Sequence, residues 1–306
     1  MINHFHQNYP ISCVLDCRAR LAEGPHWWVE RELLIWVDIL DSRVGLFNPQ
    51  NGLNRFLDVD CHVGCAVPTN KGDLLLATSN GFQRLSVDTG VLTPLCDPES
   101  DLPFNRFNDG KCDPWGQFWA GTVHYDVLPN AASLWQLDSY LQPKKMFDQV
   151  TVSNGLAWSL DHQFLYFVDS PTCTVRQFSL TENGDLADCG HVCIQIPNEW
   201  NCVPDGITID CEGMLWIALW DGFAVTRWDP RTGQHLATIH VPCPRVTSCC
   251  FGGDQLNHLF ITTARYELDS SLLSQMPMSG GIFVATVDVP GKVASIFIDR
   301  DYHTDV

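Results

Sequence analysis

Residues 205–233 read DGITIDCEGMLWIALWDGFAVTRWDPRTG, and this stretch decides the fold class. Short apolar runs rich in Ile, Leu, Val and Trp alternate with polar turns that contain Gly, Asp and Pro. Runs of this length between turn residues are typical of β-strands, whereas an amphipathic helix would show a longer apolar pattern. The stretch therefore predicts a unit of three short strands that ends in a bend at DPRTG.

The same unit recurs along the chain, with an apolar strand after a Gly, a polar turn and a second strand in fixed order. Further copies begin at Glu23, Gly64, Asp109 and Asn154, and a weaker sixth copy begins near Ser248. Successive anchor glycines lie about 40–50 residues apart, which is the period of a four-stranded propeller blade. These glycines are Gly24, Gly64, Gly110, Gly155 and Gly206.

Other all-β architectures fit this repeat less well. A parallel β-helix would repeat at a shorter period, and a sandwich would not restart on the same unit. We therefore predict an all-β protein, a six-bladed β-propeller with four-stranded antiparallel blades around a central channel. We expect residues 1–306 to form this single domain. Arg106, Asn108 and Asp109 should lie in a loop before the strand that contains Trp119.

The composition excludes several classes of partner. The net charge is −18, and only 18 Lys and Arg residues are scattered over the chain, which disfavours nucleic acid or an anionic membrane as a partner. The amino terminus resembles no signal peptide, and no apolar run approaches the ~18 residues that cross a bilayer. We expect a cytoplasmic protein that is a monomer or a weak homo-oligomer. Its 14 cysteines should be mostly buried, reduced thiols.

The residues before the anchor glycines are candidates for a functional site. In a propeller the innermost strands run along the channel, so equivalent residues form a ring at one mouth. The ring would contain Glu23, Val63 with His62 before it, Asp109 with Asn108 before it, Asn154, Asp205, and Cys249 with Ser248 before it. Asn-Gly and Asp-Gly are also common turn pairs, so each pair taken alone favours a turn. Glu23 is a poor turn residue, however, and Val63 and Cys249 would make the same turn without a polar oxygen.

Three carboxylates in one small volume would repel one another unless a cation balanced them. We therefore expect one divalent metal cation at the ring. Oxygen ligands favour Ca²⁺, Mg²⁺ or Mn²⁺, and the pattern leaves the choice among Ca, Mn, Mg, Zn and Fe open. Few protein ligands would leave positions for water and substrate, as in catalytic sites.

The motifs resemble those of a known family along most of the chain, from about residue 15 to about residue 297. They are AEGPHWW (22–28), RFNDGKCDPWGQFWAGT (106–122), SNGLAWSLDHQFLYFVDS (153–170), PDGITIDCEGMLWIA (204–218), and SCCFGG (248–253) followed by LFITTAR (259–265). Their order is similar to that in the senescence-marker-protein, gluconolactonase and luciferin-regenerating-enzyme family. The resemblance implies a propeller with one divalent cation that hydrolyses sugar lactones to aldonic acids.

The resemblance also implies roles for single residues. It implies Glu23, Asn154 and Asp205 as metal ligands, Arg106 and Asn108 as substrate-binding residues, and Asp109 as a supporting acid. Mammalian members carry an acidic pair shortly after AGT, whose glutamate approaches the substrate. This chain has Val-His-Tyr-Asp there, which makes Asp126 the corresponding substrate-binding residue with a shorter side chain.

Lactone hydrolysis needs an activated water, a polarised carbonyl and a stabilised oxyanion. We take Asp205 as the catalytic general base, with attack by metal-bound hydroxide without a separate base as an alternative. The substrate should be a small polyhydroxylated lactone, because Arg106, Asn108, Asp126 and His124 would line it with polar groups. A metal-dependent esterase or phosphotriesterase and a non-catalytic calcium-binding propeller remain alternatives. No G-x-S-x-G motif supports a serine hydrolase.

Overall fold

The computed structural model describes residues 9–300 and contains six four-stranded antiparallel sheets. The predicted six-bladed β-propeller is thereby confirmed. Strand β1 is Ile11–Leu15. Blade 1 contains β2 (Ala22–Trp28), β3 (Leu33–Asp38), β4 (Arg43–Asn48) and β5 (Leu53–Asp58). Blade 2 contains β6 (Val63–Pro68), β7 (Leu74–Thr78), β8 (Gly81–Leu85) and β9 (Leu92–Cys96). Blade 3 contains β10 (Asn105–Cys112), β11 (Phe118–His124), β12 (Ala132–Leu137) and β13 (Pro143–Val150).

The second half of the chain continues the same order of strands. Blade 4 contains β14 (Ser153–Trp158), β15 (Phe164–Asp169), β16 (Thr174–Ser179) and β17 (His191–Gln195). Blade 5 contains β18 (Val203–Ile209), β19 (Leu215–Trp220), β20 (Ala224–Asp229) and β21 (Gln234–His240). Blade 6 contains β22 (Val246–Gly252), β23 (His258–Thr263) and β24 (Ile282–Thr286). Short 3₁₀ turns span Val29–Arg31, Ser170–Thr172 and Asn198–Trp200, and helix α1 spans Ser270–Gln275.

The sixth blade is completed by the first strand of the chain. Strand β1 pairs with β24, and Ile11 lies opposite Ala285. The strand order in this blade is β22, β23, β24 and β1 from the channel outward. The sequence repeat did not reveal this closure, because one strand carries too little pattern to indicate its partner.

The core lies between neighbouring blades, where the second strands are almost entirely buried. In blades 3 and 5 the turn that leads into the second strand is fixed by the same hydrogen bond. Asp113 accepts a hydrogen bond from Trp119 Nε1 at 2.9 Å, and Asp210 accepts one from Trp216 Nε1 at the same distance. Each aspartate also accepts backbone N–H groups of its own turn. Within residues 9–300 no helix is long and apolar enough to cross a membrane.

The expectation of a loop at Arg106–Asp109 is wrong. These residues lie inside β10, the innermost strand of blade 3. The polar sequence is tolerated in a strand because it lies at a β-bulge, where the ladder with β11 is interrupted between Phe107 and Gly110. The prediction of a buried strand around Trp119 is confirmed by β11, where Trp119 is fully buried.

Candidate active site

Each innermost strand carries a β-bulge near one mouth of the channel. The ladder to the second strand shifts register between Glu23 and His26 in blade 1 and between Pro204 and Ile207 in blade 5. The other four blades shift at the corresponding place. A bulge leaves a residue out of the ladder and turns its side chain. Six bulges in one ring therefore place six equivalent inner-strand positions near the same mouth of the channel.

The strand register identifies the residues of this ring. In every blade one residue of the inner strand pairs with a fully buried residue at the start of the second strand. These pairs are Trp27–Leu34, Pro68–Leu74, Cys112–Phe118, Trp158–Leu165, Ile209–Leu215 and Phe251–Leu259. The residues that stand four places before the inner-strand partners are Glu23, Gly64, Asn108, Asn154, Asp205 and Thr247.

In blades 2 and 3 the ring residue differs from the prediction. The register places Gly64 in the ring instead of Val63, and Asn108 instead of Asp109. A glycine is needed at position 64, because a Cβ there would lie 2.7 Å from the carbonyl oxygen of Asn108. The close approach of neighbouring inner strands therefore explains the glycine at position 64. Gly64 occupies the ring position itself, whereas Gly206 follows the ring residue Asp205, so the two glycines are not equivalent.

In blade 6 the ring residue is Thr247, and the prediction of Cys249 is wrong. The Thr247 hydroxyl donates to the carbonyl oxygen of Ala22 at 2.6 Å and is also bonded to Thr262 Oγ1. Thr247 is fully buried and does not line the cavity described next. The oxygen-bearing ring residues that do line this cavity come from blades 1, 3, 4 and 5.

The four oxygen-bearing ring residues form the floor of a cavity of about 410 Å³. The three predicted metal ligands, Glu23, Asn154 and Asp205, all line it, and Arg106 and Asn108 lie beside them. Four of these five side chains are buried, and Arg106 is partly buried. The structure thus brings together five residues that the sequence placed in one site.

A chain of hydrogen bonds orders the floor across two blades. Arg106 Nη1 donates to Asn108 Oδ1 at 2.9 Å, and Asn108 Nδ2 donates to Asn154 Oδ1 at 3.1 Å. Asn154 Nδ2 in turn donates to Ser170 Oγ at 2.8 Å. Ser170 was not predicted, although its place directly after Asp169 in the FVDS motif marks the end of a strand that faces the mouth.

Arg106 is partly buried and its guanidinium is hydrogen-bonded within the floor of the cavity. Its Nη1 donates to the carbonyl oxygen of Phe107 and to Asn108, rather than to Asp101 or Asp109. Burial lowers the pKa of its guanidinium below the ordinary value. Arg106 therefore presents a donor group to the cavity from a fixed position.

Electrostatic repulsion is strong at the floor. Burial raises the pKa of the Glu23 carboxyl well above its usual range, and the Asp109 carboxylate raises it further. Burial also raises the pKa of Asp205 well above its usual range, with further increases from Glu23 and Asp109. Asp109 does not line the cavity. Its pKa is raised by burial and lowered by the Lys111 ammonium and the Gly110 N–H, which donates to Oδ1 at 2.7 Å.

The floor fits a divalent cation. Asp205 Oδ1 is buried and has no hydrogen-bond partner among the described residues. Such an oxygen costs about 1–3 kcal/mol unless something satisfies it. A cation held by Glu23, Asn154 and Asp205 would satisfy this oxygen and offset the repulsion between the two carboxylates. In residues 9–300 no three His, Cys, Asp or Glu side chains form a metal-binding group, since the third predicted ligand is an amide.

Asp126 does not join the other predicted residues. It is exposed and does not line the cavity, whereas its neighbours His124, Tyr125 and Val127 do. The His124 ring fixes this arrangement, because its Nδ1 accepts the backbone N–H of Asp126 at 3.0 Å. The predicted polar lining is therefore present at the floor and at His124, but Asp126 does not contribute to it.

Comparisons with a family profile and with known proteins agree on one family. Residues 21–265 match the sequence profile described as "SMP-30/Gluconolactonase/LRE-like region". Chicken (Gallus gallus) regucalcin is 36% identical over 282 residues, which cover 90% of this chain and 94% of regucalcin. A Bacillus subtilis protein, YvrE, named for sugar lactone lactonase activity, is 35% identical over 277 residues, with the same coverage of 90% and 94%.

A solved structure extends the comparison to three dimensions. The calcium-binding protein regucalcin of Agrobacterium tumefaciens superimposes with a TM-score of 0.91 at 26% sequence identity. The superposition covers 95% of this chain and 98% of that protein. The whole propeller is therefore shared.

Proposed function

This chain belongs to the SMP-30/gluconolactonase/LRE-like family, and on that premise we propose that it hydrolyses sugar lactones to aldonic acids with the help of one divalent cation. The observation that carries the proposal is the unpartnered Asp205 Oδ1, buried at the floor of the cavity beside Glu23 and Asn154. The name of the Bacillus relative supports lactones as the substrate class.

The residues of the floor have different roles. Glu23, Asn154 and Asp205 would hold the cation, which when bound polarises a carbonyl and lowers the pKa of a water. Arg106 and Asn108 bind the lactone and orient it, because they donate hydrogen bonds next to the ligand set. Ser170 holds the Asn154 amide, so that its oxygen rather than its nitrogen faces the ring.

Asp205 has the role of general base. It accepts a proton from the attacking water at a carboxylate oxygen while the water oxygen bonds to the carbonyl carbon. The ring C–O bond then breaks, and the released alkoxide takes up the proton that Asp205 accepted, which gives the hydroxy acid and restores the carboxylate.

A second candidate function is calcium binding without catalysis. It is favoured by the name of the Agrobacterium neighbour, a calcium-binding protein. Both functions would use the same floor, so the presence of a cation does not distinguish them. Turnover of a lactone distinguishes the two functions, because only the enzyme would show it. The free thiols of the chain support work in a reducing compartment, and we propose the cytoplasm.

The test is hydrolysis of glucono-, galactono- and xylonolactone by protein that has been stripped with a chelator and reloaded with Ca²⁺, Mg²⁺, Mn²⁺ or Zn²⁺. We expect turnover only after reloading. Asp205→Asn should lose it, whereas Asp254→Asn, which changes an exposed carboxylate, should keep it. Stoichiometric cation binding without turnover of any lactone would favour the calcium-binding function.

A further inference from the structure

The walls of the cavity differ in character from its floor. Above the five polar floor residues the lining is largely apolar, and aromatic rings contribute to it. Its apolar members include Leu21, Leu40, Val127, Pro171, Val203 and Trp220. Lactone hydroxyl groups against such walls would lose their water partners without gaining new ones, which is unfavourable. An apolar group in the same place would be favoured, because burying it removes apolar surface from water.

The cavity is also larger than a simple sugar lactone requires. Pockets that enclose drug-sized ligands measure about 300–1,000 Å³. The volume of about 410 Å³ falls in this range. A five- or six-carbon lactone bound at the floor would therefore leave space that faces the apolar walls.

The segment that corresponds to the family's acidic pair turns an apolar surface to the substrate. Asp126 is exposed, and His124, Tyr125 and Val127 line the cavity in its place. The His124 Nδ1 already accepts the Asp126 N–H. The Tyr125 hydroxyl is hydrogen-bonded to His62 Nδ1 at 2.9 Å, so its polar end already has a protein partner. The carboxylate that would accept substrate hydroxyl groups on this wall is therefore replaced by a phenol ring and an aliphatic side chain.

The backbone at Val127 supports the same conclusion. Its φ is 51°, in the left-handed region that β-branched residues rarely adopt. Asn or Gly would fit this conformation with less strain. The turn is held by the Val127 N–H, which donates to the carbonyl oxygen of His124 at 2.8 Å. Val127 is thus an apolar residue in a strained backbone conformation at the wall, although Asn would be polar and less strained at this position.

We infer that this site prefers lactones that carry an apolar substituent, an aryl or alkyl group beside the reacting ring, over fully hydroxylated sugar lactones. The inference rests on the proposed lactone hydrolysis and specifies its substrate. The reacting ester group lies at the floor with Arg106 and Asn108, and the apolar substituent lies between Leu40, Val127 and Trp220. Water adds to the ester carbonyl and the ring C–O bond breaks, as for any lactone.

The test compares three γ-lactones of equal ring size with the metal-loaded protein: galactono-γ-lactone, γ-butyrolactone and γ-phenyl-γ-butyrolactone. Each kcat/KM is divided by the rate constant of spontaneous hydrolysis of the same lactone, which removes differences in intrinsic reactivity. We expect the phenyl lactone to exceed the sugar lactone at least tenfold. A smaller ratio overturns the inference and leaves the proposed function standing. Absence of turnover with all three lactones, and with the other sugar lactones, contradicts the proposed function itself.

A matched pair of variants tests the wall directly. Val127→Asn makes the wall polar at a residue that is half exposed and whose backbone suits Asn, so the fold should be retained. We expect the ratio of phenyl to sugar lactone to fall at least threefold. Val91→Asn, at an exposed position that does not line the cavity, should leave the ratio unchanged. An unchanged ratio in Val127→Asn contradicts the inference.

Discussion

Asn108 Nδ2 donates to Asn154 Oδ1 over 3.1 Å, so a side chain of blade 3 fixes the orientation of a side chain of blade 4. The bond leaves the second lone pair of Asn154 Oδ1 for a cation. Asn108 is itself held by Arg106 and by the carbonyl oxygen of Ser153. Metal binding and substrate binding should therefore depend on each other at this pair.

Asn108→Ala should weaken cation binding about tenfold to hundredfold, because residues that orient a ligand usually contribute that much. It should also lower kcat/KM, since Arg106 loses its acceptor. Calorimetric titration with Ca²⁺ and Mn²⁺ measures the first effect. Asn80→Ala, at an exposed turn between β7 and β8, serves as the control. Unchanged cation affinity in Asn108→Ala would show that the amide pair does not position Asn154.

Asp205→Asn should lower kcat by about 10²–10⁴-fold, the usual contribution of a general base. It should also change how the stability of the metal-free protein depends on pH. The pKa of Asp205 is raised in the folded state, so its favourable contribution is present at low pH and is lost as pH rises above the ordinary value of 3.8.

Denaturant unfolding in chelator between about pH 5 and pH 8 measures this second effect. The wild type should lose stability relative to Asp205→Asn as pH rises, and an added divalent cation should restore stability to the wild type only. If the difference in free energy of unfolding between the two proteins stayed constant over this range, the fold would not raise the pKa of Asp205.

His26→Leu should stabilise the protein more at pH 5 than at pH 7. His26 is buried, its Nε2 has no hydrogen-bond partner in the described part of the chain, and burial together with Lys111 lowers its pKa from 6.5 to about 3. The unfolded state therefore takes up a proton below pH 6.5 that the folded state does not. At pH 5 this difference in proton uptake lowers the free energy of unfolding of the wild type by about 2 kcal/mol, and His26→Leu removes this loss. Equal effects at the two pH values would show that the fold does not lower the pKa of His26.

All 14 cysteines should react with a thiol reagent in denaturant without reductant, because every one is a free thiol in the structure. In the native protein Cys189 and Cys211 should react first, since they are exposed. Burial raises the pKa of Cys17 and of Cys193 to about 12, so these thiols should react slowly. A total below 14 would reveal disulfides and contradict the proposed reducing compartment.

Much of the architecture could be predicted because the repeat of strand, turn and strand is local. The turn aspartates Asp113 and Asp210 each stand six residues before their Trp partners, and this spacing marks equivalent positions more reliably than the glycines do. A glycine has several uses in a propeller, so Gly64 could stand for close approach of strands as well as for a shared position. This ambiguity misplaced the ring positions of blades 2 and 3. The ring position of blade 6 was misplaced for another reason, since no glycine follows Cys249.

The substrate wall could not be predicted because it depends on one turn. In this turn the Asp126 N–H donates to His124 Nδ1, Asp126 is exposed and Tyr125 lines the cavity. A shift of one residue in the turn would reverse the chemistry of the wall. The polar floor was easier to predict, since Glu23, Asn154 and Asp205 each occupy a strand position that recurs.

The closure of blade 6 has a consequence for how the chain folds. The ladder between Ile11 and Ala285 joins the two ends of the described chain, so it forms only after nearly all of the protein has been synthesised. Contacts between such distant residues slow folding, because a long loop must close before they contribute. The unpaired edge of β24 is exposed until β1 arrives, and during that time it can pair with another chain. The newly made protein should therefore be most vulnerable to aggregation in the interval before its first strand pairs with its last.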